Sequence, residues 1–269
     1  MTRIHAFEFI DLPWVPNIFR DGATDYLDFF FDQIGFYKKE NEAFSIFIRE
    51  KQIQSITDIA SGGGGGILSL YPLLQNDISI QLSDKYPNEQ CITKIIQKKL
   101  PNVQYLSTPI DGMSTEDLSR ITTDICTMFG ALHHYTPQQV ELLLTNVAEQ
   151  QKTIAIVDVT ANDMLRKIPK ALLIFPWILN MLVLFLFTWI FTPFLRPITW
   201  WRLLFTYVLP IIPLVIAWDG TVSALRAYSA VDIQAIFDKI SNRYPQYSLH
   251  IETSDKAILI IVSPISYKK

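Results

Sequence analysis

Apolar and polar positions along this chain follow two rhythms, and the change from one to the other divides it. Residues 26–34 and 42–50 carry apolar side chains at helical spacing, while Pro13 and Pro16 break any helix near Trp14. From residue 55 onward short β-branched runs take over. Segments 55–60, 78–82, 103–106, 123–128 and 153–159 predict five strands. Helices are predicted at 89–100 and 137–149, with a shorter one after the glycines that follow residue 61. Farther on, 230–240 predicts a helix, and 248–252 and 257–262 predict strands joined across Thr253-Ser254-Asp255-Lys256 as an antiparallel hairpin. The fold class that follows is α/β: a doubly wound, mostly parallel seven-stranded sheet ending in an antiparallel hairpin.

One region obeys neither rhythm. Residues 171–195 form 25 positions without Asp, Glu, Lys or Arg, and after Arg196 and Arg202 a second uncharged stretch of 16 residues covers 203–218. The expected organisation is an N-terminal helical cap (1–50), an α/β domain built from 51–160 and 221–269, and an inserted apolar helical hairpin (161–220). The first stretch is long enough for a bilayer core of roughly 30 Å. The second reaches only about 24 Å as helix, and Pro210 and Pro213 interrupt it. Both ends return to one soluble domain, which excludes a single span, and a hairpin dipping into one leaflet is expected over two full spans. Lys167, Lys170, Arg196 and Arg202 would then meet headgroups, and Trp177, Trp200, Trp201 and Trp218 an interface. A buried helical pair, over a hydrophobic tunnel or in a dimer interface, is the other reading of the same residues.

A formal net charge of -3 gives no basic signal, so nucleic acid is not an expected partner. Cys91 and Cys126 lack the close pairing of metal ligands, which leaves two reduced thiols in an intracellular protein and no expected metal. The N-terminus has no long apolar core of a signal peptide. The expected location is a cytoplasmic catalytic domain held at a membrane by residues 171–218.

Candidate chemistry begins at the glycines. Residues 56–66, from Ile56 through Asp58, Ala60 and Ser61 to the run Gly62 to Gly66, read as a strand, a tight glycine turn and a helix start. Glycines allow positive φ and close backbone approach to a ligand, and the helix that follows offers free N–H groups. Asp84, 22 residues after Gly62 at the next strand's end, can accept hydrogen bonds from two ribose hydroxyls. A dinucleotide fingerprint fails, because Ile67 or Leu68 stands where its last glycine belongs, and no Lys-Ser/Thr follows for a phosphate loop.

These residues resemble the first motif of class I S-adenosylmethionine-dependent methyltransferases, with Ala60 where that family often has glycine. The resemblance implies S-adenosylmethionine as cofactor. Asp58, Ala60, Ser61, Gly62 and Gly64 would form its turn, Asp84 with Lys85 would hold the ribose, and Asp111 would meet the adenine amino group. A loop aspartate such as Asp111 is also an ordinary turn former. The segment 124–135, with Phe129, Gly130, His133 and His134, is similar to the family's fourth strand end, which borders the methionine part and the acceptor. The reaction implied is direct displacement at the sulfonium methyl, in which the protein aligns the partners and excludes water. His133, His134 and Asp158 are the candidate bases if the acceptor must lose a proton. Against this, the histidines would merely cap a loop and Asp158 would be a strand-end carboxylate.

The family commonly places substrate-recognising insertions where this chain carries its apolar one, so a hydrophobic or lipid-like small molecule is the expected acceptor. Two flanking segments, with Glu8, Asp11, Trp14 and Arg20 in one and Asp219 and Arg226 in the other, resemble segments of bacterial methyltransferases with a similar insert. They would complete the acceptor site, or else pair as structural salt bridges, since charges beside apolar surroundings need partners. A noncatalytic membrane-associated adaptor on the same fold is the competing function.

Overall fold

The computed structural model describes residues 3–75, 77–87, 89–161, 174–196 and 198–265. They group into two compact units, one from Phe36–Thr160 with Tyr228–Lys269 and one from Met1–Gly35 with Ala161–Ala227.

The first unit is a seven-stranded sheet: β1 (Ser55–Asp58), β2 (Ser79–Leu82), β3 (Val103–Tyr105), β4 (Ile125–Phe129), β5 (Ile154–Val159), β6 (Tyr247–Thr253) and β7 (Ala257–Pro264). The spatial order is β3-β2-β1-β4-β5-β7-β6. The first five strands pair in parallel, and β7 runs antiparallel to both β5 and β6. The order reverses between β1 and β4, the topological switch point at which doubly wound sheets bind ligands. β4 is buried at every position and β5 at all but its last, which is why both read as apolar runs rather than alternating ones.

The helices begin with α1 (Asn17–Gln33), which belongs to the other unit, and α2 (Lys38–Glu50). After them come α3 (Gly65–Leu70), α4 (Glu89–Lys98), α5 (Thr115–Arg120) and α6 (Pro137–Glu149). Several bounds differ from the expected ones for local reasons. β1 stops at Asp58, not Ala60, because the chain must turn into the glycines. As expected, no helix runs through Trp14; α1 starts at Asn17, directly after Pro16, whose carbonyl accepts from the Phe19 N–H at 3.0 Å. α3 ends before Pro72, which sits in the 3₁₀ turn Tyr71–Leu73. α5 had no apolar period to reveal it, since only Leu118 is buried; its signal is Ser114, whose side chain caps the Asp117 N–H.

In the second unit the apolar stretches form the helix Ile174–Phe191 and a second leg, Trp200–Val208 followed by Ile211–Arg226, bent by 75° at the break. Pro213 does not interrupt the latter helix, because it lies in the first turn, where no intrahelical N–H is needed. That helix runs on through residue 220, where the end of the insertion was expected, and the units divide after Ala227. The legs pack closely: a Cβ on Gly220 would lie 2.8 Å from Leu184 Cδ1, and Asn180 Nδ2 donates to Thr221 Oγ1 at 2.9 Å. Buried Arg202 pairs with Asp25 of α1 at 2.7 Å. Away from these contacts Phe175, Leu179, Leu182, Leu186, Trp189 and Ile190 are exposed. Lys167 and Lys170 lie outside the described residues.

Candidate active site

The site is assembled at the carboxyl ends of β1, β2, β4 and β5. Asp58 is fully buried, and its carboxylate accepts from Ser61 Oγ and from Thr127 Oγ1 of β4, each at 2.7 Å. Burial pushes its carboxyl up to about 7, against the two hydroxyl donors that pull it down, with nearby Asp84 adding to the rise. A carboxyl raised above its unfolded value favours the protonated native state. Its stabilising contribution is present below the unfolded pKa of 3.8 and is lost as pH rises toward 7. The ligand-free protein is therefore expected to lose melting temperature between about pH 4 and pH 7 more steeply than Asp58→Asn, the range in which the unfolded carboxyl is ionised and the native one still holds its proton. Parallel slopes for the two proteins would refute the assignment.

From Asp58 the chain turns back on itself. The Ser61 N–H donates to the Ser83 carbonyl at 2.9 Å, and Gly62 (φ +48°) and Gly64 (φ +83°) adopt the left-handed backbone that starts α3. A Cβ on Gly62 would meet nothing within 4 Å, so the turn opens onto space. Its N–H donates to Asp84 Oδ2 at 3.0 Å, and its carbonyl accepts from Tyr105 OH at 3.0 Å. Gly66 is needed for packing: a Cβ there would lie 2.4 Å from the Cβ of Phe129. Asp84 keeps its other oxygen on the Tyr86 N–H.

Lys85 and Asp111 form an ion pair at 2.8 Å, and that partner raises the lysine's pKa. Asp111 also accepts from the Met113 N–H at 2.9 Å, the turn-forming contact that is the plainer role for a loop aspartate. Tyr135 is a residue that pattern reading missed. Burial pushes its hydroxyl up to about 12, with the fields of Asp111 and Asp84 adding to the rise.

At the exits of β4 and β5 the structure joins two of the three candidate bases. His133 Nδ1 lies 2.8 Å from Asp158 Oδ1, and the His133 backbone N–H donates to Asp158 Oδ2 at 2.7 Å. The Val159 N–H also donates to Oδ1 at 2.7 Å. A carboxylate with two backbone donors aimed at it acts as acceptor toward the ring, so Nδ1 carries the hydrogen and Nε2 is the basic nitrogen. His134, half-buried, lies with its ring 4.2 Å from that of His133. Tyr228 OH donates to the Tyr135 carbonyl at 2.7 Å and steadies the loop. Gly130 takes φ +61° at the end of β4, beside the ring of Tyr37.

Across 89% of its length this chain superposes on an O-methyltransferase family protein from Burkholderia thailandensis, with TM-score 0.53 and 12% identity. It matches 85% of its length to the methyltransferase domain of bacterial CtHen1, with TM-score 0.50 and 10% identity, covering 99% of that chain. The fold is that of the class I methyltransferases. Human N-acetylserotonin methyltransferase, solved in complex with SAM, gives TM-score 0.50 at 9% identity over 89% of this chain. This chain spans 59% of the length of the Burkholderia protein and 56% of the human one. No protein-family model matches it, and neither does any curated protein. On the methyltransferase fold, the glycine turn, Asp84 and the His133–Asp158 pair all sit at the strand ends beside the switch point.

The residues expected to complete an acceptor site lie in the other unit and engage one another. Arg226 pairs with Glu8 at 3.2 Å and with Asp11 at 2.9 Å, and its Nε donates to the Ala6 carbonyl. Buried Asp219 accepts the N–H groups of Phe9 at 2.7 Å and Ile10 at 3.1 Å. Arg20 donates to the Leu12 carbonyl, and Trp14 stands exposed. Together they clasp the segment 3–12 onto the helix Ile211–Arg226. Cys126 is a buried thiol, and the side chain of Cys91 lies outside the described residues.

Proposed function

We propose that this chain transfers a methyl group from S-adenosylmethionine to a hydrophobic small molecule, with His133 as base and Asp158 orienting it. The observation that carries the reading is the junction of an open glycine turn, its Gly62 N–H tied to Asp84, with a histidine–carboxylate pair on the same strand ends. When bound, the cofactor supplies an electrophilic methyl group on sulfur. Asp84 accepts from ribose hydroxyls, and the turn at Gly62–Gly64 lets the backbone come close. Phe129 and Gly130 line the β4 exit, where a methionyl chain would lie. Asp158 holds Nδ1, so that His133 Nε2 can take the acceptor's proton as its oxygen or nitrogen attacks.

Isothermal titration calorimetry with S-adenosylhomocysteine tests the cofactor half. Wild type is expected to bind, and Asp84→Ala to bind about 10- to 100-fold more weakly, the worth of a hydrogen bond to a charged group. No heat with either S-adenosylhomocysteine or S-adenosylmethionine would sink the reading. Binding without turnover on any acceptor would favour the noncatalytic adaptor.

The hydrophobic acceptor and a membrane location rest on the apolar unit. From Ile174 to Trp218 the only charges are Arg196 and Arg202, both positive, and Arg196 is exposed beside Phe194, Ile198 and Trp200. The helix Ile174–Phe191, 18 residues or about 27 Å, exposes apolar side chains along its length. Its polar side chains turn inward: Thr188 Oγ1 donates to the Leu184 carbonyl at 2.7 Å, and Asn180 bonds Thr221. The 75° bend of the second leg suits a re-entrant hairpin. In flotation with vesicles of anionic phospholipid, wild type is expected in the lipid fraction. Leu182→Asp with Leu186→Asp, exposed positions that leave the packing intact, should stay below, since each charge costs roughly 2.5–3.5 kcal/mol inside a bilayer. Equal flotation of both proteins counts against a membrane hairpin.

A further inference from the structure

Between Ile174 and Trp218 the only charges, Arg196 and Arg202, stand at one end of the apolar hairpin. That end is the turn joining the helix Ile174–Phe191 to the bent second leg. Arg196 is exposed there, and Arg202, just past the turn, is buried against Asp25 of α1 at 2.7 Å. Trp200, between them, is 75% exposed. Arginine and tryptophan are residue types that settle at headgroup depth.

α1 covers this closed end. Phe29 meets Phe191 with ring centroids 6.4 Å apart, Phe30 meets Phe187 at 5.7 Å, and Phe19 packs edge-on against Phe205 at 4.9 Å. A Cβ on Gly22 would lie 3.1 Å from Ile212 and 3.3 Å from Trp201. With Ala23 and Tyr26, these positions make up the inward face of α1. The sequence sets Asp21, Asp25, Asp28 and Asp32 at i, i+4, i+7 and i+11, along its other face.

The helix Ile174–Phe191 is divided lengthwise. Asn180 bonds Thr221, Leu184 lies against Gly220, Thr188 is buried and Phe191 meets Phe29, so these four turn inward. Phe175, Leu179, Leu182, Leu186 and Ile190 recur every three or four residues and are all exposed. At Trp189 the outer face continues onto Tyr207, whose ring lies 5.4 Å away and whose hydroxyl donates to the Trp189 carbonyl at 2.8 Å. Tip-first entry into a leaflet would drive Arg196, the Arg202–Asp25 pair and the acid row of α1 into hydrocarbon, where charges are costly. Side-on entry buries the apolar stripe along its whole length and leaves those charges at the surface. Charge orients the hairpin the same way, since an anionic headgroup layer attracts Arg196 and repels the aspartates of α1. A protein partner's interface carries a polar rim, whereas the exposed stripe of this helix is apolar throughout.

We infer that the hairpin binds one leaflet of an anionic phospholipid membrane side-on, through the outer face of Ile174–Phe191, with α1 on the water side. This orientation rests on the membrane reading above and sets which face meets lipid and how the hairpin lies along the headgroup layer.

Nitroxide labels test it, carried one at a time by Phe175→Cys, Leu182→Cys and Leu186→Cys on the outer face and by Asp28→Cys on α1. The background is Cys91→Ser, with Cys126 buried. Phe175 and Leu186 lie 11 residues apart, roughly 16 Å of helix. On anionic phospholipid vesicles, broadening by a water-soluble nickel complex is expected to fall at least about fivefold at all three outer positions, to levels within about twofold of one another. Asp28→Cys is expected to keep its solution value. Protection that climbs about tenfold from Phe175→Cys to Leu186→Cys means tip-first entry and overturns the inference, as does protection of Asp28→Cys. Flotation of the same labelled proteins separates the two levels. If they float and show that gradient, the membrane reading stands and the orientation falls. If none floats, the membrane reading fails and the orientation with it. Outer labels protected equally without vesicles point to a second copy of the chain on this face and also overturn the inference. Should Leu182→Cys fail to fold, Phe175→Cys and Leu186→Cys span the helix and decide alone.

Discussion

Asp158→Asn is expected to lower methyl transfer by roughly 100- to 10,000-fold, the range for losing a positioned base, while S-adenosylhomocysteine affinity stays near wild type. The pairing explains both halves of this result. Asp158 is buried and holds His133 Nδ1 at 2.8 Å, with the His133 and Val159 backbone N–H groups aimed at the same carboxylate. An asparagine oxygen can still accept, but it carries no charge to stabilise the protonated ring, and its amide hydrogens would face the backbone donors. His133→Ala should lose about as much, and the double variant little more, because residues acting as a unit are not additive. The measurement is release of S-adenosylhomocysteine across a panel of hydrophobic phenols, beside calorimetry of the cofactor. Variants that turn over within threefold of wild type would remove His133 and Asp158 from the chemistry.

Gly66→Ala is expected to cost about 1–3 kcal/mol of stability, or more if α3 cannot shift, and to weaken cofactor binding with it. The added Cβ would lie 2.4 Å from Phe129 Cβ, 3.1 Å from its Cγ and 3.3 Å from its Cδ1. Because the closest atom is a Cβ next to the backbone, Phe129→Ala in the same protein should not relieve the clash. Gly62→Ala makes the contrast: its Cβ meets nothing, so only the left-handed φ of +48° opposes it, at roughly 1 kcal/mol. Urea unfolding at constant m-value reads both. A Gly66→Ala midpoint equal to that of Gly62→Ala would contradict the packing account.

Much of this was legible in the chain because it is local. Strand and helix alternation gave the parallel part of the sheet, and the Thr253–Lys256 turn placed β6 and β7 as a hairpin. The glycine run and Asp84 were readable as a tight turn with an acid at the next strand's end, since positive φ and a strand-end acid are written in residue types and spacing, and the structure ties the Gly62 N–H to Asp84. The same local logic failed where the signal was weak. α5 carries a single buried apolar residue, and Pro213 was read as a breaker although it stands in a helix's first turn.

Other features depend on contacts between distant segments. The sequence offered His133, His134 and Asp158 as three separate candidates. Only the pairing of β4 with β5 brings His133 to Asp158, across 25 residues, and leaves His134 beside them. Glu8, Asp11, Asp219 and Arg226 likewise stood in two segments more than 200 residues apart, and folding turned them into one clasp. Residue type and spacing thus determined the sheet, the glycine turn and the apolar stretches, because backbone preference and hydrophobic period act over a few residues. The His133–Asp158 pair and the clasp were decided by tertiary structure, because burial and hydrogen-bond partners are set by which distant segments meet.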